Sequence, residues 1–168
     1  MKISYRLAVV SEINICFNLL KLAATRLQSN KINQWQYWLN PTEEKIQWIK
    51  DGFLKKEFNF ILHGDAIIGM FRLLHEDKLY WGETSGVSNY IHSFVVIDEF
   101  VGKHIGSNVL KDVINKTKVD GIPFFRLDCN ASNQNLCNYY EKIGFIKVGE
   151  ILMPHSLNNL YQIDLINY

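Results

Sequence analysis

A strand, a glycine-bearing turn, a helix and a second strand follow one another between residues 90 and 129, and this order constrains the fold more than any other feature. Residues 90–97, Tyr-Ile-His-Ser-Phe-Val-Val-Ile, are a run of strand-forming residues. A turn over residues 101–106 opens a helix that reaches about Thr117, with Ile105, Val109, Val113 and Ile114 on one side. Residues 124–129 then read as a buried strand. Two strands joined through a helix make a parallel pair by a crossover connection.

Other segments flank this unit. Residues 3–10 read as a first strand, and Ser11 as the N-cap of a helix striped by Ile13, Cys16, Phe17, Leu20, Ala24 and Leu27. Asn40 is expected to cap a second helix, with Pro41 at its first position, Glu43 completing a capping box, and Ile46, Ile49 and Phe53 on its buried face. Residues 59–63 and 66–75 form a hairpin around Gly64-Asp65. Residues 78–81 read as a short strand and 82–89 as a polar loop. A helix over 133–143 stops at Gly144, and strands near 146–152 and 160–166 follow. The expected fold is α/β: a mixed, mainly antiparallel sheet flanked by helices, with a central parallel strand pair. No Gly/Ser/Pro-rich linker divides the chain, so residues 1–168 are expected to form a single domain.

Composition narrows the function classes. With 18 Lys plus Arg against 17 Asp plus Glu, the net charge of +1 gives no reason to expect nucleic acid or an anionic membrane as partner. No apolar run approaches the ~20 residues that span a bilayer, and the first residues lack a signal-peptide pattern. Cys16, Cys129 and Cys137 have no metal-ligand spacing, so no metal site is expected and the thiols read as reduced residues of a cytoplasmic protein.

The turn after residues 90–97 has a specific physical use. A strand that turns through glycines into a helix aims unpaired backbone N–H groups and the positive end of the helix dipole at one spot, which suits a pyrophosphate. The order of residues fits neither a Walker loop nor a dinucleotide-binding fingerprint. Instead, Val101-Gly102-Lys103-His104-Ile105-Gly106 resembles the Q/R-x-x-G-x-G/A motif of the GNAT acetyltransferases. Two positions depart from it: Val101 stands where the family has Gln or Arg, and His104 where it has Gly.

A second segment strengthens the resemblance. Asn133 to Phe145 is similar to the family pattern N-x-x-A-x-x-x-Y-E-K-x-G-F, with Tyr140-Glu141-Lys142 before Ile143-Gly144-Phe145. Asn133 and Tyr140 are seven apart and are expected on one helical face with Leu136. Gln34-Trp35-Gln36 and Ile91-His92-Ser93-Phe94-Val95-Val96 resemble small bacterial members in particular.

The resemblance implies an N-acetyltransferase that moves an acetyl group from acetyl-CoA to a primary amine of a small molecule or peptide, directly in a ternary complex. It implies that Phe94, Val95 and Val96 bind the pantetheine arm through backbone groups. Val101, Gly102, Lys103, His104, Ile105, Gly106 and Ser107 would hold the pyrophosphate, and Asn133 would contact the pantetheine. Tyr140 would approach the sulfur as general acid. His92 is the favoured base, since an ordinary imidazole titrates near neutral pH and two-residue alternation places it with Phe94 and Val96. Glu83 is a second candidate, as base or as ammonium anchor. Trp35, Tyr37, Trp38 and Trp48 make the region of the first two helices aromatic, and Trp35 is a candidate acceptor contact. The chain is expected to act as a monomer or homodimer. The alternative, motivated by Val101 and His104, is a CoA-binding regulatory module without catalysis.

Overall fold

The computed structural model describes residues 2–83 and 86–167. In chain order the strands and helices are β1 Ser4–Leu7, α1 Ile13–Ser29, α2 Glu43–Leu54, β2 Phe58–His63, β3 Ala66–Leu74, α3 Lys78–Trp81, β4 Ser88–Val96, α4 Ile105–Val119, β5 Phe124–Asn130, α5 Gln134–Ile143, β6 Ile146–Met153 and β7 Ser156–Asp164. Among the described residues the sheet has seven strands, in the order β1-β2-β3-β4-β5-β7-β6. It is mostly antiparallel, with β4 and β5 as the parallel pair. The parallel register covers Ser88, Asn89 and Tyr90 against Phe124, Phe125 and Arg126. Among the described residues, no helix is long and apolar enough to cross a membrane.

Four expectations of local structure need correction. Residues 78–81 are a helical turn, not a strand: Asp77 Oδ1 accepts the N–H of Tyr80 at 3.4 Å and Gly82 ends the turn at φ +63°. Ser11 caps nothing. It lies inside a 3₁₀ turn, Val10–Glu12, where Glu12 accepts the N–H of Val9 and pairs with Arg6. The second helix is capped by Thr42, whose Oγ1 accepts the N–H of Lys45, so Asn40 and Pro41 precede the cap. Asn133 is the N-cap of α5 and not its first residue.

The chain forms two compact units. One contains residues up to Leu73 together with Ser93–Lys103. Its core packs Cys16, Leu19, Leu20, Ala23 and Ala24 of α1 with Ile49 and Phe53 of α2 and with Phe58, Phe60, Met70 and Val95. One ion pair is enclosed there. The Arg72 guanidinium is 3% exposed, donates to Glu57 Oε2 at 2.6 and 2.8 Å and to the Trp48 carbonyl at 2.9 Å, and lies 3.8 Å from the Trp48 ring centre. A Cβ on Gly52 would stand 2.6–2.7 Å from Phe58 and Arg72, so this helix position has room only for hydrogen.

The other unit contains Leu74–His92 and the residues from His104 onward. Strand β5 gives its two faces different chemistry. Phe125, Leu127 and Cys129 are buried, with Cys137 and Tyr140 of α5 and Phe145 and Tyr161 also buried; rings of Phe125, Phe145, Tyr140 and Tyr161 meet tilted or edge-on at 5.7–6.2 Å between centres. The alternate residues are Arg126 and Asp128. Arg126 donates to Tyr90 Oη and Gln162 Oε1 and lies over the Trp81 ring. This polar face of β5 positions part of the site below.

Removing one partner of an enclosed ion pair strands the other charge. Arg72→Met should therefore lower unfolding free energy by about 3 kcal/mol, as measured by urea titration. A loss under about 0.5 kcal/mol would mean that Glu57 is already well solvated without its partner.

Candidate active site

Strand β4 is interrupted in its middle. Ser93 has φ +50°, a left-handed conformation that a regular strand does not contain. Exposure still alternates, with His92, Phe94 and Val96 half-buried and Ser93 and Val95 buried. Equal spacing, however, no longer fixes the side a residue takes once one residue between them is left-handed. On β3, a Cβ on Gly69 would collide with the Val95 carbonyl oxygen, so the absence of a side chain there admits the irregular strand.

Beyond Ser93, Val95 packs its side chain into the core of its own unit. A pocket of about 130 Å³ in that unit is lined by Leu22, Ala23 and Arg26 of α1 with Val95, Val96, Ile97, Asp98 and Glu99. Arg26 donates to the Val96 carbonyl at 3.0 Å and pairs with Asp98. The sequence named Val95 and Val96, but nothing in it distinguished Arg26 from other cations on a polar helix edge.

The following loop turns at Gly102 and enters α4 with Gly106 already helical, and one substitution carries strain. Val101 is extended, Gly102 has φ +78°, and His104 has φ +60° as the N-cap of α4. Residues 101–104 are exposed and Ile105 is buried. The His104 side chain thus points outward, while its carbonyl accepts the Asn108 N–H at 3.0 Å and the Ser107 hydroxyl at 2.9 Å. Ile105, Gly106 and Ser107 are the first residues of the helix, whose N–H groups have no intrahelical acceptor. Lys103 Nζ lies 5.2 Å from the Phe100 ring centre.

Helix α5 begins at its cap. Asn133 Oδ1 accepts the Leu136 N–H at 3.2 Å, and Gly144 ends the helix at φ +115°. Tyr140 is 9% exposed among Tyr139, Phe145 and Tyr161. Burial pushes its phenol well above the ordinary 10.0, with nearby Cys129, Tyr139 and Asp128 adding to the effect. Tyr140 therefore holds its proton at neutral pH and can act as a donor.

His92 lies between two carboxylates that sequence reasoning missed. Its Nε2 is 2.8 Å from Asp77 Oδ2, and its Nδ1 is 3.6 Å from Asp128 Oδ1. Asp128 Oδ2 accepts from Asn158 Nδ2 at 2.6 Å. Burial raises the Asp128 carboxyl above its usual range, and His92 and Asn158 oppose that shift. A signal for Asp128 was present: a charge in a strand otherwise read as buried. Asp77 had none, since it sits in the polar run His75-Glu76-Asp77-Lys78.

The two acceptor candidates are placed differently. Glu83 is 83% exposed and paired with Lys78 at 2.9 Å. Trp35 has φ +64° and caps the 3₁₀ turn Gln36–Trp38; it packs half-buried, with Tyr37 and Trp48, against the core that contains Trp38.

Residues 24–145 match the family described as Acetyltransferase (GNAT) family. A GNAT-family acetyltransferase from Listeria monocytogenes superposes with TM-score 0.78 at 21% identity, covering 96% of this chain and 94% of that one. One from Streptococcus agalactiae gives TM-score 0.77 at 18% identity, covering 96% and 95%. An aminoglycoside acetyltransferase in complex with coenzyme A gives 0.69 at 16% identity, covering 97% and 95%. At these identities the likeness shows the fold. No curated protein sequence matches the chain.

The left-handed N-cap gives a direct test of the loop. A β-branched residue at positive φ is strained by roughly 1–3 kcal/mol even where its side chain is exposed. His104→Val should therefore lower stability by about 1–2 kcal/mol, while His104→Gly should cost nothing or add stability. Equal denaturation midpoints for the Val and Gly variants would contradict the left-handed assignment.

Proposed function

Because the chain belongs to the acetyltransferase (GNAT) family, we propose that, as one N-acetyltransferase domain, it transfers the acetyl group of acetyl-CoA to a primary amine. The acceptor is a small molecule or a peptide, and transfer is direct. The observation that carries this reading is the loop from Gly102 to Ser107, where two left-handed residues lead into a helix start. Its donors fit a pyrophosphate: the first-turn N–H groups of Ile105, Gly106 and Ser107 have no intrahelical acceptor, and Lys103, earlier in the same loop, is exposed. The solved neighbour in complex with coenzyme A supports the same cosubstrate.

The residues divide the work as follows. Backbone groups at Phe94, Val95 and Val96 take the pantetheine arm, and Asn133 adds a contact. His92 accepts a proton from the acceptor ammonium, because an alkylammonium has no lone pair with which to attack. The amine nitrogen then bonds to the thioester carbon and the carbon–sulfur bond breaks. Tyr140 gives its proton to the departing sulfur, and the second proton, shed by the nitrogen as it becomes an amide, restores the phenol; the role is supported by the upward displacement of its titration. Since that displacement is upward, loss of the Tyr140 proton should not limit the rate below about pH 10. One observation favours the second reading, a CoA-binding module without catalysis. Val101 is 54% exposed and puts an isopropyl group where the family motif carries Gln or Arg.

Acetyl-CoA should raise the melting temperature, progressively as its concentration exceeds the dissociation constant. Thiol release should then appear with at least one amine of a panel of polyamines, amino sugars, amino acids and peptides. Tyr140→Phe should lower that turnover by about 10²-fold and leave the thermal shift intact. A thermal shift without turnover on any amine selects the regulatory reading. No shift at millimolar acetyl-CoA in a folded sample defeats both.

A further inference from the structure

The carboxylates around His92 have no assigned role in the transfer. We infer that Asp77 and Asp128 are positioning residues for His92, Asp77 fixing the tautomer and Asp128 compensating the charge that appears when the ring takes up the acceptor's proton. The inference rests on the acetyl-transfer reading for its chemistry, and on the geometry of one unit for its physics.

An ionised carboxylate can only accept a hydrogen bond. With Asp77 Oδ2 at 2.8 Å, His92 Nε2 must therefore carry hydrogen. Nδ1 is then the nitrogen whose protonation changes, and Asp128 Oδ1 is 3.6 Å from it. Both aspartates are held independently of the histidine. Asp77 also caps α3 through Oδ1, and Asp128 Oδ2 is bonded to Asn158, which in turn accepts from Ser156 Oγ. The side chains of His92, Asp77 and Asp128 are only 12%, 6% and 9% exposed, so solvent screens their interaction weakly.

Groups on the neighbouring elements face the cluster as well. The Tyr80 ring of α3 lies 5.3 Å from the imidazole. Tyr140 of α5 is near enough to Asp128 for the carboxylate to raise its titration, and stays neutral. Arg126, two residues before Asp128 on β5, donates to Tyr90 and Gln162. In the proposed step an N–H bond of the acceptor ammonium breaks and an Nδ1–H bond forms. The freed lone pair attacks the thioester, and the imidazolium between two carboxylates later returns its proton to water.

The test follows His92 itself, by NMR titration of its ring in the full-length protein, with the signal assigned through His92→Gln. An opposite charge at this distance favours the protonated ring. Asp77→Asn and Asp128→Asn should each lower the His92 midpoint by ~1 pH unit or more. In enzyme with turnover, the acidic limb of the kcat profile should move down in pH by the same amount, and the plateau should fall. Two variants are needed because Asp77→Asn also alters the α3 cap; melting curves identify any variant that fails to fold. A His92 midpoint unchanged in both folded variants overturns the inference, whatever the enzyme's rate. Shifted midpoints in a protein that acetylates no amine leave the coupling standing and sink the acetyl-transfer reading instead.

Discussion

The arrangement of functional groups depends on a single left-handed residue inside a strand. Ser93, at φ +50°, costs about 1–3 kcal/mol relative to an ordinary strand residue and has no glycine's freedom to offset it. The surroundings supply the compensation. Gly69 leaves space for the Val95 carbonyl, and the Ile97 N–H returns to the Ile68 carbonyl at 3.0 Å. The strand therefore serves two purposes along its length. At His92 it presents a side chain to Asp77 and Asp128, and from Ser93 it gives Val95 to a core and Val96 to a pocket.

Strain of the same kind recurs elsewhere in the chain. His104 and Trp35 are also left-handed without being glycine, as are Lys31 and Lys56; His104 stands at the start of α4 and Trp35 in the connection between the first two helices. Positions of this type persist only where the surrounding structure over-determines them. At His104 the local hydrogen bonds do so, since its carbonyl holds both the Ser107 hydroxyl and the Asn108 N–H. The departure from the family's glycine therefore changes the cost of the loop and not its course.

Much of this was legible in the sequence where periodicity and punctuation agree. The parallel pair of β4 and β5, the Gly64-Asp65 hairpin and the α5 stop at Gly144 all follow from apolar spacing and from glycines with defined conformational roles. Helix starts were less legible. Asn40, Pro41 and Thr42 offered competing caps, and only the geometry selected Thr42. The aromatic content of Lys-Leu-Tyr-Trp suggested a strand, yet an Asp before it and a Gly after it made a helical turn. Of the candidate site, the loop, Asn133 and Tyr140 carry motif signals in the sequence, whereas Asp77 and Asp128 become partners of His92 only through folding across 15 and 36 positions of sequence. Ser93 gave no signal, because its left-handed turn is imposed by tertiary packing on a residue with no preference for it.

The central claim is that backbone N–H groups of the loop bind the pyrophosphate of acetyl-CoA, and hydrogen–deuterium exchange reads those groups directly. With saturating acetyl-CoA, amides between Gly102 and Ser107 should exchange more slowly, together with those at Phe94 to Val96, while the exposed turn at Gly64-Asp65 keeps its rate. Protection confined to other segments, with the loop unchanged at saturation, would contradict the account.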